Sequence, residues 1–449
     1  MTSSIIETAT IAVKYALNIG ASEAEAFIVK SRNNSVEMEN NTIKLAHSSE
    51  DKGLGIRVLI GRKIGFSYTN KLDKNSIERT VEKALSIARS GKEDPYMKGL
   101  PSPSANYPRV EGTYSIELAR IGLDNLVEKA SRMLEILTHD KRIVVVWGSV
   151  TTSTWSVAIA NSNGIYQLDH GTVAFIGAEV VARENADVTP GISEWEISRT
   201  SLPAIEKIAL RLREKAISNL NPVKIDEGSL PVILTEYAVN SLFTYTFIEA
   251  IKGDNVVRGK SPYRDKLESK VASENITIVD DGLLKNGLNT SIFDGEGIPR
   301  RKTTIIEKGV LKNFIYDHYW GVRAGKESTG NASRNDYASM PRIAPSNLVI
   351  LPGDYDKNEL IKETKKGLLI DGFQGAHSSN PETGEFSVVA TPAWYVENGE
   401  LRAVRGVMIA GNLYELLEKV DALTRTSRQV GVIKTPWIRF PGVRVIVKK

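Results

Sequence analysis

The residues able to do chemistry are few and scattered. Five histidines stand at positions 47, 139, 170, 318 and 377, and the closest two, His139 and His170, are 31 residues apart. Metal-dependent hydrolases typically hold their ion with two histidines close together on one helix and a third ligand from elsewhere, leaving one position open for water. No such local pair exists here, and each histidine reads as a surface or hydrogen-bonded residue. The chain has no cysteine, so disulfides, thiol nucleophiles and thiolate metal ligands are excluded. No G-x-S-x-G nucleophile elbow occurs. Carboxylates do pair at Asp280-Asp281-Gly282 and at Asp294-Gly-Glu-Gly297. Both sit where turns are expected, and turn chemistry accounts for the glycines. Gly295-Glu-Gly297 is not a phosphate loop, because no Gly-Lys-Ser/Thr follows.

One helix stands out among the elements that would position such groups. From Tyr237 to about Lys252, Ala238, Leu242, Tyr245 and Ile248 recur at steps of three or four, and Phe243, Phe247 and Ile251 make a second apolar face. Such a helix is built to be buried. Glu249 is charged on this apolar surface and requires a partner, with Arg258, Lys260 and Arg264 the nearby candidates.

The remaining pattern predicts an α+β chain. Its N-terminal half reads as two layers of helices packed on antiparallel strands, and its C-terminal half as mostly antiparallel sheet. The first unit, residues 1–98, opens with an amphipathic helix carrying Ile5, Ala9, Val13 and Ala16 behind a cap at Ser3 or Ser4. It continues through strands at 24–30, 35–39, 42–47, 54–60 and 64–68 to a helix from Lys74 to Ser90. The proline-rich stretch Gly99 to Pro108 is a linker. The second unit, residues 109–222, repeats the order helix (115–137), strands, helix (203–219). The third, residues 223–449, contains the apolar helix and several hairpins, with turns at Lys308-Gly309 and Asn398-Gly399. Further helices are expected at 358–366 and 413–423.

Composition narrows the function classes. Hydrophobic residues make up 41% and charged residues 25% of the 449, an ordinary globular balance. Lys plus Arg total 58 against 54 Asp plus Glu, and the densest basic runs, around Arg211 and Arg300, are short. That argues against a nucleic-acid footprint. No stretch approaches a membrane span, and the start of the chain lacks the pattern of a signal peptide, so a cytoplasmic location is expected by default. The absence of Cys and the presence of only three Gln resemble thermophile usage.

A set of short motifs then gives the chain a family likeness. Val279-Asp-Asp-Gly282, Phe293-Asp-Gly-Glu-Gly-Ile-Pro299, Arg301 to Lys312, Ser328-Thr-Gly-Asn-Ala332, Asn380-Pro-Glu-Thr-Gly384 and Tyr395-Val-Glu-Asn-Gly399 resemble, in order, the C-terminal domain of the TldD/PmbA family. Gly53-Leu-Gly-Ile-Arg-Val58 and Gly65-Phe-Ser-Tyr68 are similar to its N-terminal domain. The resemblance spans nearly the whole chain. In that family the catalytic subunit carries His-Glu-x-x-x-His on the helix before a Gly-Asp pair, with a cysteine near the C-terminus as third zinc ligand and the Glu as general base. Anchored on Gly253-Asp254, the resemblance places Thr244 and Glu249 at the two histidine positions and Tyr245 at the general base. None fits: threonine is a poor zinc ligand, and tyrosine is no base near neutral pH.

The likeness is therefore to the PmbA, or TldE, branch. It implies a chain without a cofactor of its own, paired in a heterodimer with a TldD-like subunit that holds the zinc, or forming a homodimer when alone, and acting on unfolded, short or modified peptides. Thr244, Tyr245 and Glu249 would be a vestigial site framed by Gly253, Asp254 and Arg258. Asp294, Glu296, Arg300 and Asn331 would line the groove or the interface. Two alternatives stand beside this reading: a self-sufficient hydrolase using an atypical set such as His318, Asp317 and Glu249, and a non-enzymatic regulator of a DNA-acting enzyme of the gyrase type.

Overall fold

The structure is a computed structural model and describes residues 3–447. Met1 and Thr2 lie outside the described residues, as do the side chains of Ser3 and Ser4 and with them the cap expected there.

The N-terminal half is built on one seven-stranded antiparallel sheet. Its strands are β1 (Glu23–Glu39), β2 (Thr42–Ile60), β3 (Lys63–Thr69), β4 (Ile143–Asn161), β5 (Tyr166–Glu184), β6 (Asp187–Val188) and β7 (Ile192–Ser198), with β1 and β4 at its centre. Two helix pairs cover the same face of this sheet. Helices α1 (Ser3–Asn18) and α2 (Lys74–Ser90) bury Ala24, Ala26 and Ile28 of β1, while α4 (Leu123–Thr138) and α5 (Ile205–Ile217) bury Val36 and Met38 further along the same strand. A short α3 (Ile116–Ala119) precedes α4. The two expected layers are thus real as helix pairs, but they share strands of 17 to 19 residues instead of owning separate sheets. Reading 31–34 as a break between strands is corrected here: Ser31 to Asn34 are polar yet stay in register with Asp51 to Ser48 on one side and Trp155 to Thr152 on the other.

The C-terminal half holds a 13-stranded, mostly antiparallel sheet, in which β8 (Gly228–Leu234) lies between the long strand Ile433–Val447 and Lys366–Ile370. Beneath it sits the largest core, containing Phe243, Phe247, Tyr263 and Phe440. The apolar helix is three pieces: α6 (Glu236–Thr244), α7 (Phe247–Ile251) and α8 (Gly253–Val257). Apolar periodicity carries no sign of a break. The break within the expected helix comes at Tyr245 and Thr246 (Thr246 φ −128°, ψ −80°), where two threonines donate back to carbonyls of α6, Thr244 Oγ1 to Asn240 O at 2.7 Å and Thr246 Oγ1 to Leu242 O at 2.6 Å. Such back-bonds bend helices. The stop at Lys252, whose extended backbone bridges to Ile315, is where the helix was expected to end, and α8 lies beyond it. The helix expected at 413–423 ends at Leu417, and the chain re-enters the sheet at Ala422.

Candidate functional site: an interrupted helix and a buried charge seam

Positions five apart lie about 140° around a regular helix. Thr244 and Glu249 are so spaced, and the chain is interrupted between them at Tyr245 and Thr246. The backbone is therefore irregular between these two positions, and their side chains do not suit a metal. The Thr244 hydroxyl is spent on Asn240 O. Tyr245 is 45% exposed and sets its ring edge-on to His377 at 6.3 Å. Glu249 is held by Lys252 Nζ at 2.8 Å and Asn255 Nδ2 at 3.0 Å. The partner expected for Glu249 is corrected accordingly, since Arg258 pairs with Asp254 (3.5 Å) and Lys260 with Glu382 (3.4 Å). Zinc does not fit this donor set: a hydroxyl, a phenol and a carboxylate already bonded to an ammonium. Among the described residues no three His, Cys, Asp or Glu side chains gather in a way that could hold a metal ion.

Gly253 and Asp254, expected in a loop, instead open helix α8, and Arg258 caps its C-terminal end. An added Cβ on Gly253 would lie 2.1 Å from the Tyr316 ring, so only glycine lets the chain turn there. Arg258 stacks on Trp320 at 4.6 Å, Arg323 packs on the same ring at 4.9 Å, and Arg323 also covers Tyr96 at 4.3 Å.

The other expected site residues lie elsewhere, in the interior. Asp294, Glu296 and Asn331 are buried, and Arg300 is half-buried with its guanidinium on Gly330 O at 2.6 Å. Asp294 does act as a turn former, accepting from the amides of Glu296 (2.9 Å), Ile298 (3.0 Å) and Ala332 (3.0 Å). That turn aims Glu296 across the seam with the N-terminal sheet. There Arg57 of β2 donates Nη1 to Glu296 at 3.0 Å and Nη2 to Glu25 of β1 at 2.7 Å, and Arg334 pairs with the other oxygen of Glu25. The second Glu296 oxygen accepts from the His318 amide at 2.9 Å, beside Asp317, which caps helix α9 (His318–Ala324). Phe27, Ile159, Ile165 and Phe293 form an apolar cluster at this seam, with Arg334 stacked on Phe27. Asn331 belongs to a separate knot, donating to Asp280 at 2.7 Å alongside the Ser346 hydroxyl at 2.9 Å.

Four carboxylates, Glu25, Asp294, Glu296 and Asp317, thus face two arginines, Arg57 and Arg334, out of water. Burial, together with the neighbouring Glu296 carboxylate, pushes Asp317 up to about 8, and burial raises Asp294 to about 6. Burial works most strongly against the charge of Glu296, but Arg57, the His318 amide and Arg334 together overcome it and hold Glu296 below its ordinary value. A second seam has the opposite balance. Glu194 of β7 meets Lys215 (2.6 Å), Arg428 (2.8 Å) and Arg211 (3.2 Å), and Lys215 also reaches Asp371 at 2.7 Å. There the cations overcome burial and draw Glu194 down to about 2. Sequence reasoning missed both seams, since Arg57 and Glu296 are 239 positions apart and nothing local links them. The His318, Asp317, Glu249 set does not assemble either: the contacts of Glu249 are Lys252 and Asn255, and the His318 ring lies against Gly99 O at 3.2 Å.

Three family models match consecutive parts of the chain: PmbA/TldA metallopeptidase domain 1 over residues 24–88, the central domain over 116–220 and the C-terminal domain over 227–447. An uncharacterised protein of Methanocaldococcus jannaschii is 30% identical over 94% of this chain and 95% of its own length. The metalloprotease PmbA of Escherichia coli is 28% identical over 96% of this chain and 95% of its own. The crystal structure of TldE from Thermococcus kodakarensis superposes with a TM-score of 0.93 at 31% identity, covering 98% of this chain and 99% of that one. Among the described residues no helix is long and apolar enough to cross a membrane. With its motifs, fold and relatives in agreement from end to end, the chain belongs to the TldD/PmbA family of metallopeptidases.

Proposed function

We propose that this chain is the TldE-type, non-catalytic subunit of a two-chain zinc peptidase, bound to a TldD-type subunit that holds the zinc and cleaves unfolded, short or modified peptides. The observation that carries this reading is the side-chain set on the interrupted helix. Thr244, Tyr245 and Glu249 stand where the family's catalytic branch has its two histidines and general base, and the chain has no cysteine to complete a site. The likeness to the Thermococcus protein named TldE supports the same branch. The outer strand Glu400–Val404 stands at one end of the large sheet, where the Val223 amide donates to Ala403 O at 2.8 Å, and an extended peptide or a partner strand could add to the backbone groups left along that edge.

Co-expression with a TldD-type chain, followed by size measurement and a casein-type peptidase assay of each chain and of the pair, tests the reading. A one-to-one complex, active only as the pair and inactivated by chelation, is expected. Undiminished activity of the TldD-type chain alone, with no complex formed, would contradict it.

A further inference from the structure

The helix-facing side of the N-terminal sheet is apolar at both ends and polar between them. Under α1 and α2 it presents alanines and isoleucine, and under α4 and α5 valine and methionine. In the gap between the two helix pairs, the same face carries Lys30 and Arg32 of β1, Lys52 and Glu50 of β2, and His170 of β5. Register sets Lys30 directly opposite Lys52. Like charges facing across strands repel each other. Even so, among the described residues Lys30, Arg32 and Lys52 have neither an ion pair nor a side-chain hydrogen bond, and Glu50, opposite Arg32, does not bridge to it. Glu50 and Asp51 also line the cleft over this face, the Asp51 carboxylate accepting from the Tyr337 hydroxyl at 3.2 Å.

Above this floor lies an open cleft of about 740 Å³, walled by Ile5 of α1 and Ala119 of α3. That volume is in the range of small-molecule sites. At its rim Tyr114, 42% exposed, meets His170 edge-to-face at 5.4 Å. Two ammonium groups and a guanidinium fork that have no partner among the described residues, on one concave surface, suit the clustered oxygens of a phosphate chain. A half-exposed phenol beside them suits a planar ring.

We propose that this cleft binds a phosphorylated small molecule bearing a planar ring, with its phosphates on Lys30, Lys52 and Arg32 and its ring against Tyr114. The proposal is independent of the partner-subunit reading, because neither the interrupted helix nor the two charge seams contribute to the cleft.

Calorimetric titration of the full chain with ATP, pyrophosphate and adenosine, each at low and at raised salt, tests it. ATP is expected to bind saturably at one site per chain, more weakly in raised salt. Arg32→Ala and Lys30→Ala should each weaken ATP and pyrophosphate at least tenfold without shifting the melting temperature. Tyr114→Ala should weaken ATP and leave pyrophosphate unchanged. The proposal is overturned if ATP shows no saturable binding, if adenosine binds as well as ATP, or if the charge variants bind ATP as the parent does.

Discussion

The interrupted helix and the Glu25–Arg57–Glu296 seam treat polar groups in opposite ways. On the helix, Thr244 and Glu249 are satisfied by neighbours at most six positions away, and Tyr245 faces outward. At the seam, Glu25 and Glu296 pair with Arg57 and Arg334 out of water, two of these links spanning more than two hundred positions, with Asp294 and Asp317 buried beside them. Buried charge is costly, and near an active site it commonly tunes an acid or a base. Here it ties the N-terminal sheet to the C-terminal domain, while the place where the family's chemistry would sit holds ordinary local bonds. The difference sets charged groups that secure a scaffold against a helix with no metal-suited donor set, in keeping with the proposal that the hydrolytic chemistry belongs to a partner.

Breaking the seam gives the largest expected effect. Arg57→Ala leaves Glu25 and Glu296 facing each other without their shared cation, and removing one partner of a buried pair costs about 3–5 kcal/mol. The urea midpoint of the full chain should fall accordingly, whereas Glu249→Ala, at a half-exposed pair, should cost about 0–1 kcal/mol.

The two seams also respond oppositely to pH. Asp317 and Asp294 have folded values above those of an unfolded carboxylate, so the folded chain keeps protons the unfolded chain has released. Their contribution is fully present below about pH 4 and is lost as pH rises through about 6 and then about 8. Glu194 has a lowered folded value, so its contribution is present above the unfolded value and is lost as pH falls toward about 2. Asp317→Asn should therefore stabilise the chain at pH 8 by on the order of 1–3 kcal/mol and flatten the decline on the alkaline side, without changing the acid limb. Denaturant curves at a series of pH values read both limbs. A parent chain whose stability rises steadily from pH 5 to pH 8.5 would contradict the carboxylate-rich seam.

The smallest effect is expected on the helix itself. Tyr245→Phe and Thr244→Ala should shift stability by less than about 1 kcal/mol, as substitutions away from buried networks do. They should also leave the peptidase rate of the two-chain complex within about twofold. A loss of two orders of magnitude for either would restore a catalytic role to this helix.

What the sequence made legible was what is local. Helix Lys74–Ser90 was expected with the bounds it has, and in the structure the Asp73 side chain caps it by accepting from the Ser76 amide. The hairpin turns at Lys308-Gly309 and Asn398-Gly399 follow from residue type, and all four residues have positive φ. The failures were long-range. Polar Ser31 to Asn34 look like a turn in isolation, but strand neighbours on both sides hold them in the sheet. The break at Thr246 depends on threonine back-bonds that leave the apolar period intact. Asp294 and Glu296 were singled out as groove or interface residues; both are buried, and the charge of Glu296 is met by Arg57, which no local pattern connects to it.

The most direct test of the scaffold assignment is metal content and peptidase activity of this chain purified alone and in complex with a TldD-type chain. The account predicts no stoichiometric zinc and no cleavage for the isolated chain, and about one zinc with chelator-sensitive cleavage for the pair, following the open four-coordinate sites of zinc peptidases. One tightly bound zinc per isolated chain, with peptide cleavage that chelation abolishes, would contradict it.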